Sequence, residues 1–396
     1  MDEAPKLLFV VHAWGGGTIR FAIELAEMIS NRATVVWAWG ENDKTIHVSS
    51  TRPYDSEISF NVAAGLEAPL EHLRAYGFRR ANVIQTIGFG KTIGTLLKGL
   101  DISYDVTFTD YHYFSDTPHF EDDQGMFVGD EAVAQSQASW RGKVPPLLLG
   151  AGRLIAISGD LANRLQGFIP ERPVIATRVY EAQKLNRKSV KRPVLARGEA
   201  MRVLFLGRPN PVKGVNIVLN VIERIRQAQL PIEVHCLGEI DPDRERQLRA
   251  IEQVTVHGAY EHSDLPEIVG KIDPHLAWFP FTQPETHSYA LSDAMRMGLP
   301  VLATAIGAVP ERLYGRPHTW LVPFGASMSE NHFNWIEKLY RDRLDCGPSW
   351  VDIGHLPTID RAFFPKRYIE PILPGFWERL SRFIRLRSFH GGESSE

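Results

Sequence analysis

Two basic side chains, Arg208 and Lys213, share the tract GRPNPVKG that runs from Gly207 to Gly214. A guanidinium grips a phosphate through a two-pronged fork and an ammonium acts as a point charge, so the pair suits one diphosphate. Two solvated loop cations would show the same spacing. A second tract, PETHSYALSDAMRMGLPVLATAIGAVPER, runs from Pro284 to Arg312. It sets Glu285, Thr286, His287 and Ser288 directly before a helical stretch, Tyr289–Met297, which Gly298 and Pro300 terminate. The free N–H groups and positive dipole end of such a helix favour a phosphate. Asp293 stands eight residues after Glu285; a helical path between them predicts one shared side, ~80° of rotation and ~12 Å apart. A third tract, HAWGGGTIR from His12 to Arg20, contains Gly15, Gly16 and Gly17. Consecutive glycines let a backbone turn sharply and approach a ligand, and they equally serve a tight turn with no ligand.

Two tempting motifs fail on their residues. Arg20 occupies the position of the third small residue in a dinucleotide fingerprint, so the close helix–strand packing of a nicotinamide site is not expected. The tract QTIGFGKT ends in the Gly-Lys-Thr of a P-loop but opens on Gln85 where the leading glycine belongs.

Positioning these loops requires strands and helices in alternation. Leu7–Val11, Thr34–Ala38, Val83–Gln85, Val106–Phe108, Leu154–Ile157 and Val174–Ala176 read as buried strands. Helix patterns such as Thr18–Ser30 lie between them. Lys184–Arg202 interrupts the pattern with a crowd of basic residues, read as a solvated interdomain linker or as a basic site for an anionic substrate. The alternation then restarts with strands Val203–Leu206, Glu233–Leu237, Val254–His257, Leu276–Phe279 and Val301–Thr304 and with helix Val215–Gln227. Two doubly wound α/β domains facing across a cleft are predicted, with ligands beyond the carboxyl ends of the strands.

Composition narrows the partners. The 396 residues carry 44 Lys+Arg against 47 Asp+Glu, a formal charge of −3, which argues against nucleic acid. Cys236 and Cys346 are the only cysteines, read as reduced thiols rather than a disulfide framework or a zinc site. The opening MDEAPKLLFVVHAW is too short for a span and lacks the basic start of a signal peptide, so a cytoplasmic protein is expected.

The combined tracts resemble glycosyltransferase family 4, retaining enzymes of the GT-B fold, in a branch of bacterial polysaccharide biosynthesis. The likeness runs from the glycine turn to about Pro323. It implies Arg208 and Lys213 on the donor diphosphate, with Gly15, Gly16, Gly17 and Gly207 around it. It also implies Glu285 at the transferred sugar, flanked by Thr286, His287, Ser288 and Tyr289, and Asp293, in place of the usual glutamate, at the ribose. Asp110 matches the aspartate of a cleft His-Asp-Tyr sequence, while Thr109 replaces its histidine, which His112 or no residue substitutes on the acceptor side. The partners implied are a nucleoside-diphosphate sugar and a glycan or lipid-linked acceptor. No cofactor is implied, and without an Asp-x-Asp triad no metal is expected for donor binding. The expected domains are 1–190 and 191–361, with 362–396 packing back on the first as the terminal GT-B helix. The tail pattern of Arg379, Arg382 and Arg385 among aromatics also fits a basic amphipathic helix peripheral to the inner membrane. Thr109 and Asp293 motivate the alternative, a GT-B binding or scaffold subunit that has lost catalysis.

Overall fold

The computed structural model describes residues 4–115, 118–181, 190–191, 193–352 and 354–370. Its first half forms one sheet from β1 (Lys6–His12), β2 (Thr34–Glu41), β3 (Thr45–Ser49), β4 (Ile58–Asn61), β5 (Arg80–Val83), β6 (Tyr104–Phe108), β7 (Leu154–Ala156) and β8 (Val174–Ala176). The strand order is β4-β3-β2-β1-β5-β6-β7-β8. The second sheet comprises β9 (Met201–Leu206), β10 (Ile232–Leu237), β11 (Val254–Gly258), β12 (Leu276–Phe279), β13 (Val301–Ala305) and β14 (Thr319–Pro323), ordered β11-β10-β9-β12-β13-β14. All six are parallel, and their order is that of a dinucleotide-type doubly wound sheet. The predicted pair of Rossmann-like units, the GT-B architecture, is therefore present.

Every residue of β1 after Lys6 is buried, as expected for a parallel strand covered on both faces. Two differences from the sequence reading concern the first sheet. β3 and β4 add an antiparallel edge, because Asn42 and Asp43 adopt left-handed conformations that reverse the chain after β2. The strand expected at Val83–Gln85 lies at Arg80–Val83. Gln85 is thereby released from the sheet into the loop beyond it.

The chain returns to its first half near the C-terminus. Asp360 donates its N–H to the carbonyl of Ala176 at 2.8 Å, and the Tyr368 hydroxyl accepts from Asn82 Nδ2 at 3.0 Å. Phe364, in the π-helical turn Phe363–Arg367, packs edge-on against Phe21 with ring centroids 5.4 Å apart. Beneath this seam Asp105 is buried and paired with both Arg80 and Arg153. Residues 371–396, with the arginine-rich tail, lie outside the described residues, as does most of the basic stretch after Glu181. Among the described residues no helix is long and apolar enough to cross a membrane.

Candidate active site

The switch in winding direction falls between β1 and β5 in the first sheet and between β9 and β12 in the second. Loops leaving the carboxyl ends of neighbouring strands diverge at such points and leave a crevice. A cavity of about 390 Å³ lies there, lined from both halves of the chain. Its walls include Gly15, Gly17, Thr109 and Asp110 from the first half, and Gly207, Arg208, Lys213, Glu285, Thr286, His287, Ser288 and Tyr289 from the second. Gly16, His112 and Asp293 are not among its lining residues.

The glycine loop leaves β1 with Gly15 and Gly16 at φ 74° and 76°, a region that side chains other than glycine rarely tolerate. Helix Gly16–Ile29 starts directly behind it. The loop after β12 is set by a backbone approach. Ala308 donates to the Glu285 carbonyl at 2.6 Å. A Cβ on Gly307, itself at φ 63°, would run into the backbone N and O of Glu285. Ser288 then caps helix Tyr289–Arg296, its hydroxyl accepting from the Leu291 N–H at 3.3 Å.

Glu285 is buried, its Oε1 accepting from Lys213 Nζ and from Gln283 Nε2 at 3.2 Å. Burial alone would raise this carboxyl, but the Lys213 charge and hydrogen bond hold it below its ordinary value. Arg208 is exposed at the rim beside Glu239, 3.3 Å away. The two cations thus face the same cavity from one strand–helix connection, Lys213 partly buried against Glu285 and Arg208 open to solvent.

Asp110 is a fully engaged carboxylate. Its Oδ2 accepts from Gln85 Nε2 at 2.8 Å, and its Oδ1 faces the His112 N–H at 3.1 Å and His112 Nδ1 at 2.8 Å. Burial pushes its pKa up, yet the bonds and charge from His112 leave it lowered. His112 Nε2 lies 3.1 Å from Thr86 Oγ1. His112 therefore orients Asp110 and does not itself wall the cavity. Thr109 reaches Thr18 Oγ1 at 3.0 Å, and its carbonyl accepts from Thr286 Oγ1 at 2.7 Å across the cleft.

The helix begins at Tyr289, as the sequence predicts, so the condition of a helical path all the way from Glu285 to Asp293 is not met. Asp293 points to Arg296, to Arg20 at 3.8 Å and to His262 at 3.6 Å. Arg20 also stacks over the Tyr289 ring, 4.1 Å from its centroid, and bonds Glu24 at 3.0 Å. The residue that broke the dinucleotide fingerprint is thus a clasp between the halves. The tract that leads into the Gly-Lys-Thr is packed on the neighbouring strand: Gly88 lies against the backbone of Gly40, and its carbonyl accepts from the Asp43 N–H at 2.9 Å.

Three residues escaped the sequence reading. His119 lines the cavity, and its buried Nδ1 has no hydrogen-bond partner among the described residues. Burial, followed by the Lys213 charge, lowers its pKa. Glu181 joins Ser292 at 2.9 Å, Arg312 at 3.3 Å, His287 at 3.4 Å and Arg296. Burial opposes its charge, yet these partners bring it down to about 2. The same environment, burial first and Arg312 next, pushes His287 down to about 4. Glu311 accepts from the N–H groups of Gly159 and Asp160, both at 3.1 Å, at the start of helix Gly159–Phe168. His119 and Glu181 stand among other polar and charged residues, and Glu311 lies near the end of the Pro284–Arg312 tract, so nothing local distinguishes them.

Residues 200–342 match the family model described as "Glycosyl transferases group 1". No curated protein matches the chain in sequence. Among solved structures, a sucrose-phosphate synthase from Thermosynechococcus elongatus is similar at a TM-score of 0.57 and 16% identity, covering 98% of this chain and 100% of that one. The Anabaena protein HepE, in complex with UDP and glucose, is similar at a TM-score of 0.57 and 16% identity, covering 85% and 90%. The pneumococcal O-GlcNAc transferase GtfA, in complex with UDP and GlcNAc, is similar at 0.56 and 10% identity, covering 99% and 100%. With the match over the second sheet, these likenesses make the chain a protein of glycosyltransferase-like GT-B fold.

Proposed function

We propose that the protein is a retaining glycosyltransferase that moves a hexosyl group from a nucleoside-diphosphate sugar to a glycan or lipid-linked acceptor in cell-surface polysaccharide biosynthesis. The observation that carries this reading is the convergence of Arg208, Lys213, Glu285 and the glycine loop on one cavity between the two sheets. The cavity volume, about 390 Å³, falls in the range of small-molecule sites. The similar Anabaena and pneumococcal structures hold UDP with a sugar, which supports that donor class.

In this reading Arg208 and Lys213 neutralise the diphosphate as negative charge builds on it during departure. They supply the positive charge in place of a metal ion. The Gly17 backbone and the helix start at Ser288 add dipoles directed at the phosphates. Glu285, ionised and fixed by Lys213, accepts from hydroxyls of the transferred sugar. The bond from the anomeric carbon to the phosphate oxygen breaks and an acceptor hydroxyl adds on the same face. Its proton passes to the leaving phosphate, so no enzymatic nucleophile is required. In this reading the protein works at the cytoplasmic side.

Calorimetric titration with UDP, GDP and their sugars, followed by a transfer assay, tests the reading. Product formation is expected to depend on both cations, and near-wild-type transfer by Arg208→Ala and Lys213→Ala would overturn it. A second reading, a scaffold subunit without catalysis, is favoured by one observation: Asp293 is engaged by Arg20, His262 and Arg296. Donor binding without transfer to any supplied acceptor would select it.

A further inference from the structure

Trp14 is the most exposed aromatic side chain lining the cavity, 72% accessible at its rim. An exposed indole at a cavity rim offers a broad apolar face to whatever enters. Its loop is held from three directions. The Trp14 N–H donates to His12 Nδ1 at 2.9 Å. The Tyr54 hydroxyl donates to the His12 carbonyl at 2.9 Å and accepts from the Gly15 N–H at 3.0 Å. Tyr54 sits at φ 75°, a conformation that bulky residues rarely adopt and that surrounding structure must impose. The edge of Tyr54 packs against the largely buried Trp39, 5.9 Å between centroids. The strained residue therefore braces the segment that presents the indole.

The chemistry beside Trp14 is polar. His12, Thr18, Gln85 and Asp110 line the same cavity. Because His12 Nδ1 accepts a hydrogen bond, the neutral ring carries its proton on Nε2, and burial lowers the His12 pKa in keeping with that neutral form. One broad apolar face next to hydrogen-bonding groups matches a pyranose, which has a face of C–H bonds and a rim of hydroxyls. The negative face of an indole attracts such C–H groups.

We propose that Trp14 is the stacking platform for a pyranose ring of the acceptor, with His12 beside it to bond a ring hydroxyl. The proposal rests on the transferase reading and sharpens it: the acceptor end is a saccharide, not a bare lipid or protein hydroxyl. Saturation-transfer NMR on the full chain tests it, using methyl glycosides of glucose, galactose, mannose and N-acetylglucosamine, each with and without UDP. In the wild type, ring C–H protons of at least one glycoside take up saturation. Trp14→Ala weakens that signal roughly five- to tenfold, Trp14→Phe retains most of it, and UDP signals and melting temperature stay as in the wild type. The proposal is overturned if no glycoside is saturated in the wild type, or if Trp14→Ala leaves the signal unchanged. Absence of UDP signals from the wild type counts against the donor reading alone, since the glycoside arm without UDP still decides the role of Trp14.

Discussion

At the residue scale the cavity is an arrangement of charges already satisfied by one another. Lys213 and Glu285 hold each other, as do Asp110, His112 and Gln85. Such pairs cost no reorganisation when a ligand arrives, and this is how preorganised sites stabilise charge. Lys213→Ala is expected to lower transfer by about 10²-fold or more, since it removes a cation from the diphosphate and leaves a buried carboxylate unpaired. Arg208 is exposed and has no such structural duty, so Arg208→Ala is expected to cost about tenfold or more in transfer with an unchanged melting temperature. Initial-rate assays with thermal melts on both variants distinguish these outcomes. Equal loss of stability in the two would show that Arg208 is structural.

At the element scale the position of Glu285 depends on a turn in another loop. Gly307 comes after β13, and only its missing Cβ lets the backbone of Glu285 pass so close. Gly307→Ala is expected to cost about 2–3 kcal/mol, from the left-handed backbone and the forced displacement together. Gly315 shares the positive φ, at 73°, but nothing lies within 4 Å of its would-be Cβ. Gly315→Ala should therefore cost only about 1 kcal/mol. Urea denaturation of the two variants separates crowding from backbone strain. The C-terminal return makes a second case. Asp105 anchors Arg80 and Arg153, and Arg153 Nη2 also donates to the Tyr368 carbonyl at 2.9 Å. Asp105→Ala leaves two half-buried guanidinium groups without their carboxylate and is expected to destabilise by about 3–5 kcal/mol. Hydrogen exchange should show the segment 359–370 opening first, and unchanged protection there would refute the anchoring role.

On the scale of the whole molecule, the halves meet through Arg20 with Tyr289, Thr286 with Thr109, Glu181 with Arg312, and Glu311 with the helix start at Gly159. Burial, opposed by the two backbone N–H bonds, raises Glu311 from 4.5 to about 7. The sign of its pH dependence follows. The folded state keeps the proton where the unfolded chain has lost it, so the contribution is complete below about pH 4.5. It falls as pH rises through about 7, by about 3 kcal/mol in all. Glu311→Gln removes the titrating charge and keeps one of the two oxygens, and with it one of the two bonds from Gly159 and Asp160. Melting temperatures measured from pH 5 to 8 should fall more steeply in the wild type than in this variant. Parallel profiles would show that another group controls the trend.

Much of this was legible before folding. The glycine turn, the cation pair and the Glu285 tract announce themselves because local chemistry writes them: positive φ needs glycine, a helix start needs a capping hydroxyl, a parallel strand needs an unbroken apolar run. The sequence by itself thus determined two doubly wound units and most of the cavity-lining residues from the second. Tertiary structure alone decided what Asp293, His112 and Arg20 do. Each lies beside its expected motif, yet Asp293 is taken by cations from both halves, His112 supports Asp110, and Arg20 clasps Tyr289. It also brought in His119, Glu181 and Glu311, whose neighbours are far away in the chain. The physical reason is range. Backbone geometry and hydrophobic period act over a few residues and can be read along the chain. A buried charge takes its role from partners that only the packing of two domains brings near.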